Sequence, residues 1–319
     1  MTIPLWEEKV WIDGCFDFTH HGHAGVFCQA RRTISPDVKS GNDMLICGIH
    51  NDEDIRINKG CLPVMKERER YEHARSNRWC DVVVEDAPYV TQADVMNKYG
   101  CMYVVHGDDI TLDKDGNDCY QGMKDCGRYK CVKRTAGVST SDIIQRILTG
   151  SRDHHTRPDE IVTLDELTRY STARDGYSAG CHVYKNTLET VVVKGNTKKR
   201  EVVVVDGNFD LFHIGHISKI KTLRERYGDY ELLVNIRDDH EDIMTLKEKA
   251  LSVLSCKYID GIIIELDAAR AQNSGRDYTV VNIDDVSGDF DYLTKQVIID
   301  RITSQRDEYI IRNKRKGFT

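Results

Sequence analysis

No apolar run in this 319-residue sequence approaches the ~20 residues that a helix needs to cross a bilayer, so a membrane-spanning role is excluded. Aromatic residues are scarce at 8%, and no basic patch stands out. With 45 Lys and Arg against 52 Asp and Glu, the net charge is −7. That balance excludes the basic wrap that a nucleic-acid binder needs. The 11 cysteines are odd in number and include no Cys-x-x-Cys pair, which argues against a disulfide framework or a zinc site. With no signal-peptide pattern at the start and no long basic amphipathic tail at the end, reduced thiols in a soluble cytoplasmic protein are expected. The length suits two domains.

What is present, and present twice, is a loop with the makings of an anion site. The first copy reads Val10-Trp11-Ile12-Asp13-Gly14-Cys15-Phe16-Asp17-Phe18-Thr19-His20-His21-Gly22-His23. The second reads Val203-Val204-Val205-Asp206-Gly207-Asn208-Phe209-Asp210-Leu211-Phe212-His213-Ile214-Gly215-His216, at a constant offset of 193 positions. A β-rich run ends in Asp-Gly, a turn follows, and His-x-Gly-His opens a helix. A helix N-terminus offers backbone N–H groups and the positive end of its dipole to an anion. Histidines three apart share one face of the first turn, so both can address one phosphate chain. The glycine between them lets the backbone come close. A buried histidine pair that merely caps a helix explains less, because it does not account for the whole string recurring. A zinc pair on a helix is normally spaced by four with a third ligand elsewhere, so no metal ligands are assigned.

Short apolar runs alternate with polar helical stretches around these motifs. Strands are expected at 10–12, 44–49, 79–84 and 103–106, with helices at 22–32, 67–77 and 139–148 and a loop at 52–63. The order recurs as strands at 202–205, 231–236 and 258–264, with helices from 214, at 246–255 and at 294–303. Such alternation predicts an α/β protein of two tandem, doubly wound (Rossmann-like) parallel-sheet domains of the nucleotidyltransferase kind. The expected division is 1–150, a linker at 151–200 and a degenerate second copy at 201–319. In such sheets ligands bind at the C-terminal strand ends, where the first histidine motif falls.

A second constellation, Arg134-Thr135-Ala136-Gly137-Val138-Ser139-Thr140-Ser141-Asp142, stands just before the helix that closes the first half. Hydroxyls at a helix start with a guanidinium upstream make another anion site, or simply a capped helix. Lys59 lies on the loop between. Together, the histidine loop, Lys59, Arg78 and the 134–141 stretch resemble the cytidylyltransferase family of the His-x-Gly-His nucleotidyltransferase superfamily. That family joins CTP to a phosphorylated alcohol and releases pyrophosphate. Tandem halves set its ethanolamine-phosphate members apart from the choline-phosphate and glycerol-phosphate ones, so the resemblance implies CTP and phosphoethanolamine as substrates.

The resemblance also implies roles. His20 and His23 hold the triphosphate and, with Lys59 and Arg134, are the catalytic set. Gly14, Cys15, Phe16, Asp17, Gly22, Arg78, His106, Gly107, Asp108, Asp109, Ser139 and Thr140 surround the nucleotide. Asp52 and Tyr89 are assigned to phosphoethanolamine, with Asp52 facing the ammonium. The acceptor phosphate is already mostly deprotonated at pH 7, because its second pKa is ~6, so no general base is needed. Positioning and cationic donors carry the chemistry, with Mg2+ on the CTP phosphates. Phosphocholine or glycerol 3-phosphate as acceptor, and a non-catalytic nucleotide-binding regulator, are the competing readings. Single-domain relatives dimerise, which leaves open a homodimer or an internal pseudo-dimer of the two halves.

The second copy keeps His213, Gly215 and His216 but shortens the 52–65 stretch to 239–244, which removes any counterpart of Lys59. Lys257 stands in place of Arg78, and Asp284, Asp285, Asp289 and Asp291 precede its last helix where Arg134 and its neighbours were basic. A retained fold without catalysis is expected there.

Overall fold

Parallel pairing dominates the computed structural model, which describes residues 4–18, 20–36, 44–199, 201–267 and 277–315. Thr19 of the first motif and the tail residues 316–319 lie outside them. Two compact units emerge. One comprises Met1–Arg75, Trp79–Ile144 and Ile298–Thr319, the other Ser76–Arg78 and Gln145–Val297.

The first unit is built on five parallel strands: β1 (Trp6–Gly14), β2 (Leu45–Ile49), β3 (Val82–Val84), β4 (Cys101–Gly107) and β5 (Tyr129–Val132), in the order β3-β2-β1-β4-β5. β1 runs Val10, Trp11 and Ile12 with at most 1% exposure, as a strand covered on both faces must. It pairs in register with β2, from Val10 opposite Leu45 to Gly14 opposite Ile49. The chain winds outward on one side of β1 and then returns to lay β4 on the other. The switch point between β1 and β4 is where such a sheet opens a crevice at its C-terminal strand ends.

The second unit repeats the plan with β8 (Val202–Asp206), β9 (Glu231–Ile236), β10 (Gly261–Ile264) and β11 (Tyr278–Asn282) in the order β11-β8-β9-β10. This matches β4-β1-β2-β3 of the first unit. The expected linker is not one. It supplies β6 (His182–Lys185), parallel to β10, and β7 (Thr187–Val193), antiparallel to β6, which extend that sheet. The boundaries at 150 and 200 are therefore replaced by a cut after Ile144. The C-terminal boundary moves as well, because the last helix, Arg306–Arg315, belongs to the first unit. No helix among the described residues is long and apolar enough to cross a membrane.

Local sequence explains the elements next to β1. α1 (His21–Arg32) starts at His20, whose extended backbone and ring acceptor make it the N-cap. α2 (Asp52–Lys59) occupies what was expected to be a loop. Asn51 accepts from the Asp54 N–H at its start, and Gly60, at φ 75°, ends it in the left-handed conformation that favours glycine. Three acidic residues in its first turn and Lys59 in its last suit the helix dipole. α6 (Thr140–Thr149) is the closing helix of the first half.

Candidate active site

The C-terminal ends of β1 and β4 open into a cavity of about 610 Å³, wholly within the first unit. Two helix starts face it. At α1, the Gly22 N–H donates to His20 Nδ1 at 3.1 Å, which places the neutral ring's proton on Nε2. The His20 and His23 rings stack with centroids 4.1 Å apart. A Cβ on Gly22 would lie 2.8 Å from both His20 Cε1 and Val138 Cγ1, so the motif's glycine is required by space. At α6, Ser139 caps the helix by accepting from the Asp142 N–H at 3.1 Å, and the Thr140 hydroxyl donates to the Asp17 carbonyl at 2.9 Å. Both hydroxyls are thus committed to the scaffold, and what the helix start presents to an anion is its backbone and dipole.

Cations close the ring. Lys59 and Arg134 both line the cavity. Burial works to lower the Lys59 pKa, but Cys15 and Tyr89 outweigh it, so the ammonium is held above its usual value and stays charged. Arg134 is half-exposed, with Nη1 3.4 Å from Asp109 and its backbone N–H donating to Asp108 at 3.0 Å. His23 is pushed down to about 3, first by burial and then by Lys59 and Arg134. It is therefore neutral and able to donate.

Most residues expected at the site converge. Gly14, Cys15, Phe16, Asp17, His20, Gly22, His23, Lys59, Tyr89, His106, Gly107, Asp109, Arg134, Ser139 and Thr140 all line the cavity. Asp17, however, also has a bracing task, because its two carboxylate oxygens accept from the Val64 and Met65 N–H groups at 3.1 and 3.0 Å. Asp210 does the same for Ile243 and Met244, both at 2.8 Å. The Asp repeated in both motifs thus pins the loop that follows β2 or β9.

Three expected residues stand outside the lining. Asp108 is the brace for Arg134 just described. Asp52 begins α2, where its Oδ1 accepts from Arg70 Nη2 at 2.7 Å and its Oδ2 from the Glu67 N–H at 3.2 Å, so its carboxylate is engaged by the scaffold and not turned to the cavity. Arg78 belongs to the second unit, where its guanidinium donates to the carbonyls of Leu254 and Cys256 at 3.1 and 2.7 Å. It is a structural tie and not a nucleotide contact.

Sequence reasoning missed Asp13, His50, Tyr120 and Arg312, all of which line the cavity. Asp13 accepts from Trp11 Nε1, Thr91 Oγ1 and Tyr120 OH at 2.8, 2.6 and 2.7 Å, which fixes the end of β1. Its place directly before the motif glycine was the available signal. Arg312 had none, since it sits almost 290 residues beyond the motif.

The second motif is built alike and then covered. Gly215 N–H donates to His213 Nδ1 at 3.1 Å, as in the first copy. Here, though, a Cβ on Gly215 would lie 2.4 Å from the Leu293 carbonyl oxygen, so backbone sits where the first unit has a side chain. Lys295 Nζ lies 2.6 Å from Asp210 and 3.3 Å from Asp242, satisfying the acidic groups internally. His216 is pushed down to about 4, mainly by burial.

These depressed histidines give a testable pH dependence. Below the unfolded value near 6.5, the unfolded chain takes up protons that His23 and His216 refuse until about 3 and 4. Stability is therefore complete above that value and falls as the pH drops through this window. The melting temperature at pH 5 is expected below that at pH 7, with a smaller drop for a His216→Asn variant. An unchanged pH dependence in that variant would contradict the assignment.

Comparison with known proteins follows the same division. A cytidylyltransferase-like family model matches residues 11–146, the first half alone. Over the full length of both chains, the sequence is 51% identical to an ethanolamine-phosphate cytidylyltransferase of Saccharomyces cerevisiae. The chain belongs to that family. A Dictyostelium discoideum member is 38% identical over 80% of this chain and 72% of its own. By contrast, choline-phosphate cytidylyltransferase 2 of Arabidopsis thaliana, 41% identical, covers 44% of this chain and 44% of itself. The ethanolamine-phosphate likeness thus spans the whole chain, whereas the choline-phosphate likeness covers less than half of it.

Proposed function

We propose that the first unit joins CTP to phosphoethanolamine, giving CDP-ethanolamine and pyrophosphate. The observation that carries this is the convergence on one cavity of two helix N-termini, the His20–His23 pair, Lys59 and Arg134. Among the described residues no carboxylate pair or nucleophilic triad is assembled there, and the chemistry needs none. The acceptor phosphate attacks the α-phosphorus of CTP, and the bond to the bridging oxygen of pyrophosphate breaks. His20 Nε2–H and neutral His23 donate to the phosphate oxygens as charge shifts toward the leaving group. Lys59 offsets the repulsion between two anions brought together, and Arg134 with the α6 start receives the pyrophosphate.

Magnesium enters this reading as part of the nucleotide substrate. The nearby carboxylates are already committed, Asp13 to three donors, Asp17 to two backbone N–H groups and Asp109 to Arg134. The groups left facing the phosphates are the Lys59 and Arg134 cations and the histidine N–H donors, so the metal would be brought in with the nucleotide. The loss of Asp52 leaves the acceptor's ammonium to Tyr89, whose ring lines the cavity and packs on His50 with centroids 4.9 Å apart. A cytoplasmic location accords with eleven cysteines that form no disulfide.

A panel of phosphoethanolamine, phosphocholine and glycerol 3-phosphate, assayed with Mg·CTP for pyrophosphate release, tests the reading. Phosphoethanolamine should be used at least about tenfold more efficiently, because a site sized for a primary ammonium excludes the bulkier trimethylated head. Equal efficiency across the panel would refute the acceptor. Tight CTP binding without turnover on any acceptor would favour a nucleotide sensor instead.

A further inference from the structure

Arg312 on the C-terminal helix Arg306–Arg315 is 9% exposed and lines the cavity. Its Nη1 points to the Cys61 thiol at 3.8 Å, a weak acceptor. Its Nε and Nη2 are buried and make no hydrogen bond. Those two nitrogens share one edge of the guanidinium, the edge whose parallel N–H bonds fit two oxygens of a single phosphate. A buried cation with that edge unused is costly by itself. The cost disappears when an anion arrives.

The helix that carries it is anchored on both sides of the cavity. Tyr309 OH donates to the Leu62 carbonyl at 3.1 Å, beside the turn that follows Lys59. Asn313 Nδ2 donates to the Ser141 carbonyl at 3.3 Å, in the first turn of α6. Upstream, both Nη atoms of Arg301 grip Glu69 at 2.7 and 2.9 Å. The Arg312 guanidinium also packs over the Tyr309 ring at 4.9 Å. Arg312 is thus held between Lys59 and the α6 start, the two groups that frame the phosphate end of the nucleotide.

We propose that Arg312 binds the β- and γ-phosphates of CTP through its Nε–Nη2 edge, so that the last helix of the chain completes the nucleotide site of the first half. This rests on the CTP reading above and adds to it a residue from the opposite end of the chain. The two ideas fail separately. Wild-type protein that does not bind CTP at all would sink the nucleotide reading itself.

The test compares CTP with CMP, which lacks the β- and γ-phosphates, by calorimetric titration of the full-length protein. Arg312→Met is expected to weaken CTP binding at least tenfold while leaving CMP binding within about twofold, and to raise KM for CTP more than KM for phosphoethanolamine. Because the variant removes a buried cation with unused donors, the ligand-free protein should melt no lower than wild type, while the stabilisation conferred by CTP shrinks. A purely structural arginine would show the reverse. Arg312→Lys, which keeps charge but not the two-pronged edge, should recover only part of the CTP affinity, and it serves if the methionine variant does not fold. Exposed Lys314 on the same helix is the control, and Lys314→Ala should behave as wild type. Equal loss of CTP and CMP, or no loss of either, would overturn the proposal.

Discussion

The His20→Ala/His23→Ala variant is expected to form no measurable CDP-ethanolamine, whereas His213→Ala/His216→Ala should keep most of the activity. A count of motifs predicts equal losses, since both copies preserve the cap geometry, with the glycine N–H 3.1 Å from the first histidine's Nδ1 in each. The surroundings decide otherwise. The first pair opens on a cavity shared with Lys59 and Arg134. The second has the Leu293 carbonyl against Gly215 and Lys295 paired with Asp210 and Asp242. A triphosphate there would have to displace backbone and an internal ion pair. Product formation measured by chromatography, alongside circular dichroism to show that each variant is folded, separates the outcomes. A folded His213/His216 variant as inactive as the His20/His23 variant would make the second half a working site.

Lys59→Ala should lower kcat by about two to three orders of magnitude, the loss expected for one preorganised donor in the transition state. Lys59 ends α2 at the cavity edge, and its ammonium stays charged despite burial. Removing it leaves two approaching anions with one fewer cation between them. The melting temperature should change little, because α2 buries only Ile55 and keeps its Asn51 and Gly60 caps. Single-turnover kinetics at saturating CTP is the measurement, and a rate within about threefold of wild type would remove Lys59 from the reaction.

The recurrence of the motif and the parallel α/β plan were legible from local pattern, whereas the grouping of Lys59 and Arg134 with His20 and His23 came from the family resemblance. α2 was not, because 52–63 is polar, buries little and carries Gly60 and Pro63, so no helical periodicity shows. The short helix Ala93–Lys98 and the edge strand β5 escaped for the same reason. β6 and β7 follow a polar, proline-bearing stretch that reads as a domain exit, and only their pairing with β10 reveals them as part of the sheet. Arg78 and Asp52 were misplaced by analogy. Their partners, the Leu254 and Cys256 carbonyls and Arg70, lie at separations that residue spacing does not encode.

The sequence by itself determined the duplication, the sheet type and the chemistry of the first motif, because backbone period, helix capping and charge are properties of neighbouring residues. Tertiary structure alone decided which residues serve which unit. Arg301, near the end of the second repeat, grips Glu69 in the first unit, while Arg146 from the first repeat grips Glu248 in the second at 2.7 Å. It also decided that Arg312 reaches a cavity whose motif lies near the other end of the chain, and that Leu293 covers a motif which still looks intact. Such outcomes depend on where distant segments come to rest, and on whether space beside a glycine is open or filled by backbone.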